Sequence, residues 1–299
     1  MSDASDGIRS VAFLGLGAMG YPMAGHVLNA GYEVTVYNRT TDRAQQWAEQ
    51  YDGFTALTPA IAAADADVVC ACVGNDDDLR SIVLGADGAF AGMRAGSIFI
   101  DHTTASADVA RELAAVGAKQ DIHFLDAPIS GGQIGAEHGS LTIMVGGDQV
   151  AFVRTRELMR SYGHAVTLMG EVGAGQLTKM VNQICIAGIV QGLSEGLNFA
   201  VNAGLDAIQV IDVIAKGAAQ SWQMENRGKT MVAGEFDFGF ATDWMRKDLG
   251  LCLQEARRNG ARLPLTALVD QFYAAVQQRG DGRMDSSSLI SLLNGPKSS

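Results

Sequence analysis

The feature that most constrains this chain is an apolar run, Val11-Ala-Phe-Leu, that passes without a polar break into Gly15-Leu16-Gly17-Ala18-Met19-Gly20 and then into helix-compatible sequence as far as Ala30. A buried strand ending in G-x-G-x-x-G at a helix start is a dinucleotide-binding turn. Gly15 permits the tight bend, Gly17 lets a pyrophosphate approach the backbone, Gly20 lets the helix pack on the strand, and the helix-start N–H groups face phosphate. The glycine pattern alone fits an ordinary turn, but a second strand about 20 residues on places it in a β-α-β unit. Residues 15–20, with Leu16, Ala18 and Met19 among them, are therefore read as cofactor-binding. The second strand ends Tyr37-Asn38-Arg39-Thr40, without the acidic residue that commonly meets the ribose 2'-hydroxyl of NAD. Arg39 instead suits a 2'-phosphate, with Asn38 and Thr40 adding donors, so NADP is expected to be preferred over NAD. The competing reading is an exposed loop arginine.

Short apolar, β-branched runs at residues 11–14, 33–37, 67–73, 97–100, 123–125, 141–145 and 165–168 alternate with helical stretches. That alternation predicts an α/β fold, a Rossmann-type doubly wound sheet with helices on both faces. After Gly175 the strand runs stop, residues 176–203 contain no proline, and 207–216, 243–259 and 265–279 also read as helices. The expected organisation is a dinucleotide-binding domain over residues 1–172 and an all-α substrate and oligomerisation domain over 173–299, joined by a long interdomain helix. That helix carries Gly188, Gly192, Gly196, Ala200 and Gly204 at four-residue spacing, a stripe almost bare of side chains. Interior glycines each cost about 1 kcal/mol of helix propensity, so a packing role is expected, within the domain or across a homodimer or homotetramer. Gln183, Gln191, Ser194 and Glu195 in the same segment argue against membrane insertion.

At 299 residues and 47% hydrophobic, the chain is able to bury a substantial core. Its formal charge of -11 repels nucleic acid and anionic lipid, so neither is an expected partner, and an anionic substrate must be drawn by local cations and backbone donors. Residues 1–6 are small and polar with no apolar run behind a basic start, which reads as a cytoplasmic protein, and residues 295–299 read as a frayed tail. Cys70, Cys72, Cys185 and Cys252 and the five histidines show neither disulfide-framework nor zinc spacing, so no metal is expected.

Three further segments carry chemistry. Asp126-Ala-Pro-Ile-Ser130-Gly131-Gly132 is a strand breaking into a Ser-Gly-Gly loop suited to a carboxylate. Gly173-Ala-Gly175-Gln-Leu-Thr-Lys179-Met-Val-Asn182-Gln183 opens the long helix and sets Lys179, Asn182 and Gln183 on one face at i, i+3 and i+4. Lys247 and Asp248 open a later helix.

Together with GLGAMGYPMA at residues 15–24, DHTTAS at 101–106 and RKDLGL at 246–251, these segments resemble the β-hydroxyacid dehydrogenase family, which includes 3-hydroxyisobutyrate dehydrogenase, tartronate semialdehyde reductase and 6-phosphogluconate dehydrogenase. The match runs over nearly the whole chain. The resemblance implies hydride transfer between NAD(P) and the 3-hydroxyl carbon of a small, anionic 3-hydroxy acid, 3-hydroxyisobutyrate-like or glycerate-like. Carried over by position, Lys179 looks like the catalytic lysine, and Ser130, Gly131, Gly132 and Asn182 look like substrate binders. Val73 and Thr104 look like neighbours of the nicotinamide ribose, and Lys247 resembles a residue reaching the cofactor from the second domain. Departures are Val73-Gly74 for the common Leu-Pro, Thr103-Thr104 for Ser-Thr, and Asn182-Gln183 for Asn-Asn.

Free lysine titrates near about 10.4, so a base at neutral pH needs desolvation or a second cation such as Lys247. Imine reductases share the fold and cofactor but resemble a variant with another residue at the lysine position, and Lys179 counts against them. A non-catalytic interaction module on the same fold is expected to lose the lysine or the Ser-Gly-Gly loop, and both are present. Residues 219–226, with Gln220, Ser221 and Trp222, are expected to shape the distal end of the substrate pocket.

Overall fold

A computed structural model describes residues 7–293; the readings made for residues 1–6 and 295–299 lie outside it. Contacts divide the chain into two compact units, one ending at Lys179 and the other starting at Met180, so the division falls inside the helix Ala174–Asn202.

The first unit is built on one sheet: β1 (Ser10–Leu14), β2 (Glu33–Tyr37), β3 (Phe54–Thr55), β4 (Val68–Ala71), β5 (Ile98–Asp101), β6 (His123–Asp126), β7 (Ile129–Ser130), β8 (Leu141–Gly147) and β9 (Gly163–Gly170). Strands β3-β2-β1-β4-β5-β6 lie in that order and run parallel, the order of dinucleotide-binding sheets. Antiparallel β8 extends the sheet beyond β6, and β9 pairs with β8 in parallel. Alternate residues of each central strand feed separate cores. Val11, Phe13, Val68, Cys70, Ile98 and Ile100 pack on one face, while Ala12, Leu14, Val69, Ala71 and Phe99 pack on the other. Strands buried on both faces read as unbroken apolar runs, which is why these were visible in the sequence.

The second unit is helical: Ala207–Ile214, Trp222–Ala233, Thr242–Asn259 and Pro264–Gln278 follow the long helix. The long helix is apolar and long enough to cross a bilayer by composition. It is nevertheless a core element. Ala187 and Val190 pack with Met245, Leu249, Val269 and Tyr273, while Leu193, Leu197 and Ala200 pack with Ile211, Met224 and Met231. Its polar residues Gln183 and Ser194 are buried with partners.

Candidate active site

Gly15 has φ +93°, in the left-handed region, and a side chain there would strike the Cys72 carbonyl just past β4. At Gly20 a Cβ would strike the Gly15 carbonyl and come within 3.0 Å of the Phe13 ring. Gly17 differs: a Cβ there would meet nothing within 4 Å, and Gly17 and Ala18 are exposed. Two glycines are thus demanded by the protein's own packing, and the one between them faces open space that fits a pyrophosphate. No side chain caps the helix Gly20–Asn29, in contrast to the caps that Asn75 and Ser106 supply to theirs, so its first N–H groups are suited to an anion.

Leu16 is buried and donates its N–H to Asn38 Oδ1 at 2.9 Å, while Asn38 Nδ2 donates to the Thr40 carbonyl at 3.0 Å. Asn38 therefore ties the glycine turn to the end of β2. Arg39 is 88% exposed and pairs with Asp78 at 3.4 Å, and Thr40 is exposed beside it. Sequence reasoning passed over Arg43, whose Nε donates to the Leu16 carbonyl and whose guanidinium lies 5.0 Å over the Tyr21 ring. A second arginine soon after Arg39, in the first turn of the helix Thr41–Tyr51, was the available signal.

The strand ends beyond β4, β5 and β6 form a hydrogen-bonded floor. Thr103 Oγ1 accepts from Val73 N at 3.1 Å, and Thr103 N donates to Asp101 Oδ1 at 2.9 Å. Asp101 and Asp126 are register partners at the ends of β5 and β6, both fully buried, and Asp101 Oδ2 has no hydrogen-bond partner. Burial raises the Asp101 carboxyl from 3.8 to about 7, with Asp126 adding to the shift and the Thr103 hydrogen bonds opposing it. Burial likewise raises Asp126 to about 6 against the backbone N–H donors of Gly173 and Gln176. Between pH 3.8 and about 7 the folded chain therefore holds a proton on Asp101 that the unfolded chain has released. Stability from this group is full below the lower value and is lost as pH rises through the upper one. In chemical denaturation, the unfolding free energy of wild type minus that of Asp101→Asn is expected to fall by about 1.4 kcal/mol per pH unit across this window. A flat difference would show that Asp101 titrates normally.

Buried His102 meets the Ala127 carbonyl through Nδ1 at 2.7 Å and the Tyr162 hydroxyl through Nε2 at 2.9 Å, and burial lowers its pKa to about 4. A neutral imidazole is thus part of the support beneath the Asp126–Ser130 break.

The start of the long helix is bolted to this floor. Asp126 accepts from Gly173 N at 2.7 Å and from Gln176 N at 2.9 Å. The Gln176 side chain donates to the Thr103 carbonyl at 2.7 Å and accepts from Ala105 N at 3.1 Å, bracketing Thr104. Lys179, one turn after Gln176 on the same helix face, is buried at 7% exposure. In the Ser-Gly-Gly loop, Ser130 pairs with Thr142 across β7 and β8, and Gly131 and Gly132 have φ +132° and +63°. A Cβ at Gly132 would meet nothing, so its backbone is open to a ligand. Asp126 and Gln176 were quoted from the sequence only as parts of motifs; their anchoring roles were missed because their partners lie far away in the chain.

In the second unit Asn182 is half-buried, and Lys247 Nζ lies 3.1 Å from Asp248 Oδ1 and 5.6 Å over the Trp244 ring. In the segment expected to line a pocket, Ser221 caps the helix Trp222–Ala233. Arg227 stacks between Trp222 and Phe238, 5.0 and 4.8 Å from their rings, and pairs with buried Asp285 at 3.4 Å. Among the described residues no group of three His, Cys, Asp or Glu gathers as a metal site.

This largely parallel sheet, with the strand order β3-β2-β1-β4-β5-β6 and a glycine turn after β1, defines a dinucleotide-binding fold. Residues 10–170 match the model for the NAD-binding domain of 6-phosphogluconate dehydrogenase, and residues 173–293 match that for the NAD-binding region of NADP-dependent 3-hydroxyisobutyrate dehydrogenase. The chain is 62% identical over 291 residues to an oxidoreductase of Shewanella frigidimarina, covering 97% of this chain and 100% of that one. It is 32% identical to Escherichia coli 2-hydroxy-3-oxopropionate reductase, covering 95% of this chain and 96% of the reductase. The structure of Mycobacterium tuberculosis 3-hydroxyisobutyrate dehydrogenase with L-serine superposes with a TM-score of 0.87 at 30% identity, covering 96% of this chain and 100% of that one. The chain belongs to the β-hydroxyacid dehydrogenase family of NAD(P)-dependent oxidoreductases.

Proposed function

We propose that the chain interconverts a small 3-hydroxycarboxylic acid and its semialdehyde, with Lys179 as general acid and base. The observation that carries this reading is the buried Lys179 on a helix start locked to the strand ends by Asp126 and Gln176. Residues 1–172 serve the dinucleotide and 173–299 the substrate and subunit contacts. When bound, the nicotinamide accepts or supplies the hydride. Residues 15–20, Arg39, Thr40, Val73 and Thr104 hold that cofactor, with Asn38 shaping the turn and Lys247 as a further cofactor contact. Ser130 and the open backbone of Gly131 and Gly132 take the carboxylate, and Asn182 orients the hydroxyl end. In oxidation Lys179 receives the hydroxyl proton as the carbon loses hydride and the C=O bond forms; in reduction it returns that proton.

The test is nicotinamide absorbance with NAD and NADP, in both directions, against 3-hydroxyisobutyrate, glycerate, serine, 3-hydroxypropionate and simple imines. Turnover of a 3-hydroxy acid is expected. Turnover of imines alone would favour an imine reductase, and no turnover with intact cofactor binding a non-catalytic module.

NADP is the preferred cofactor in this reading. The Arg39–Asp78 pair is exposed, and such pairs contribute about 0–1 kcal/mol, so a 2'-phosphate can displace it. Arg39→Asp is expected to raise KM for NADP far more than for NAD, and equal kinetic efficiency of the unmodified enzyme with both cofactors would sink the preference. A homodimer or homotetramer is also proposed. Val181, Cys185, Ile189, Gly192, Gly196 and Phe199 are exposed at helical spacing on the long helix, an apolar stripe that a second subunit would cover. Light scattering is expected to give a multiple of 31.4 kDa at micromolar concentration; a monomer would leave the stripe solvated.

A further inference from the structure

The second unit contains a hydrogen-bonded chain that starts at Asn182. Asn182 Nδ2 donates to Gln183 Oε1 at 2.8 Å, Gln183 Nε2 donates to Asp248 Oδ2 at 2.6 Å, and Lys247 Nζ pairs with Asp248 Oδ1 at 3.1 Å. Gln183 and Asp248 are 2% and 1% exposed, so water does not compete for these bonds.

The chain has only one direction. A side-chain amide has nearly the same shape either way round, so packing does not decide which end faces a neighbour. Charge does. Asp248, paired with the Lys247 ammonium, only accepts, so Gln183 must turn its NH2 toward it. That leaves the Gln183 carbonyl facing Asn182, which must answer with its own NH2. Rotating Asn182 by half a turn would set two carbonyl oxygens against each other, and rotating Gln183 would set a carbonyl against the carboxylate. Length matters as well: an asparagine at 183 would withdraw the amide by about one C–C bond, roughly 1.5 Å, and break both contacts.

We infer that Gln183 and Asp248 are positioning residues that lock the orientation in which Asn182 presents its amide to the substrate, so that substrate affinity depends on a buried carboxylate and its lysine partner more than sixty residues away in sequence. This rests on the reading of Asn182 as a substrate contact. Neither residue touches substrate in this account; each acts through Asn182.

The test is steady-state kinetics of Gln183→Met, made in the wild-type and in the Asn182→Ala backgrounds, with the 3-hydroxy acid of the panel turned over fastest. Methionine keeps the length and packing of glutamine but not its hydrogen bonds. In the wild-type background KM for the hydroxy acid is expected to rise about tenfold, the scale of one or two lost hydrogen bonds, with kcat within about threefold. The NADP dissociation constant, read by fluorescence, should stay within about twofold, and in the Asn182→Ala background the substitution should add less than about twofold to KM. Equal effects in both backgrounds would mean that Gln183 acts through the fold alone and would overturn the inference, as would an unchanged KM in the wild-type background. If Asn182→Ala itself leaves KM unchanged, the assignment of Asn182 falls and this inference with it. Asp248→Asn is the second variant, since its amide lets the chain run either way while conserving volume. It is expected to raise KM in the wild-type background and not in the Asn182→Ala background, with a thermal melt confirming the fold of each variant.

Discussion

Lys179→Ala is expected to lower the turnover number by about 10²- to 10⁴-fold, the usual contribution of a general acid or base, while leaving the fold and NADP binding nearly intact. The start of the helix is anchored through other groups: Asp126 takes the backbone N–H groups of Gly173 and Gln176, and the Gln176 side chain takes Thr103 and Ala105. Removing the lysine leaves those bonds in place. Residues 15–20 and Arg39, the proposed cofactor contacts, lie at the ends of β1 and β2, which are held by other contacts. The loss should therefore fall on the turnover number, with little change in NADP affinity by fluorescence titration. Lys179→Arg should restore little, because a guanidinium stays protonated and cannot receive the hydroxyl proton. An alanine variant retaining more than about a tenth of wild-type turnover would exceed what loss of such a catalyst permits, and the proton would then travel by another route.

What the sequence disclosed and what it withheld follow from the range of the forces involved. β1, β4 and β5 are buried on both faces, so burial forces apolar runs that can be read without neighbours, while β2 buries Val34 and Val36 and leaves Glu33 exposed. β3 is two exposed residues, Phe54 and Thr55, and β7 is only Ile129 and Ser130, so both are too short to show any period. Residues 219–226 were read only as the distal end of a pocket, and the helix Trp222–Ala233 that starts among them was not; Ser221 at its start and Gly234, with φ +74°, at its end were the punctuation that marked it. At the candidate site, Lys179 and Ser130 could be proposed from the sequence because each stands in a local motif. The long-range contacts around the candidate site were not. Asp126 meets Gly173, Gln176 meets Thr103, and Gln183 meets Asp248 only once the chain has folded, and nothing in the local spacing of either partner points to the other.

Gly175→Ala is expected to be the most damaging single methyl group on the first unit's helix start. Gly175 is buried where the long helix rests on the ends of β6 and β8, and a Cβ there would strike the Met144 carbonyl, lie 2.5 Å from the Asp126 carbonyl and 2.9 Å from Asp126 Oδ2. Two of those three atoms are backbone and cannot rotate away, so the helix start must lift. Lifting it strains packing at about 1–3 kcal/mol and weakens the Asp126 bonds to Gly173 and Gln176, whose loss leaves a buried carboxylate without donors at about a further 1–3 kcal/mol. A combined loss of about 3 kcal/mol corresponds to a fall in Tm of roughly 6–12 °C for a cooperative unit the size of Met1–Lys179. Activity should drop with it, since Lys179 follows one turn later on the displaced segment. Gly250→Ala is the control: mid-helix in Thr242–Asn259, no atom within 4 Å of the new Cβ, and an exposed position outside the proposed subunit stripe, so a stability gain of about 0.5–1 kcal/mol is expected. If Gly175→Ala instead melts with wild type and keeps its turnover, the helix start is not wedged against the sheet, and the anchoring of Lys179 by Asp126 and Gln176 loses its mechanical basis.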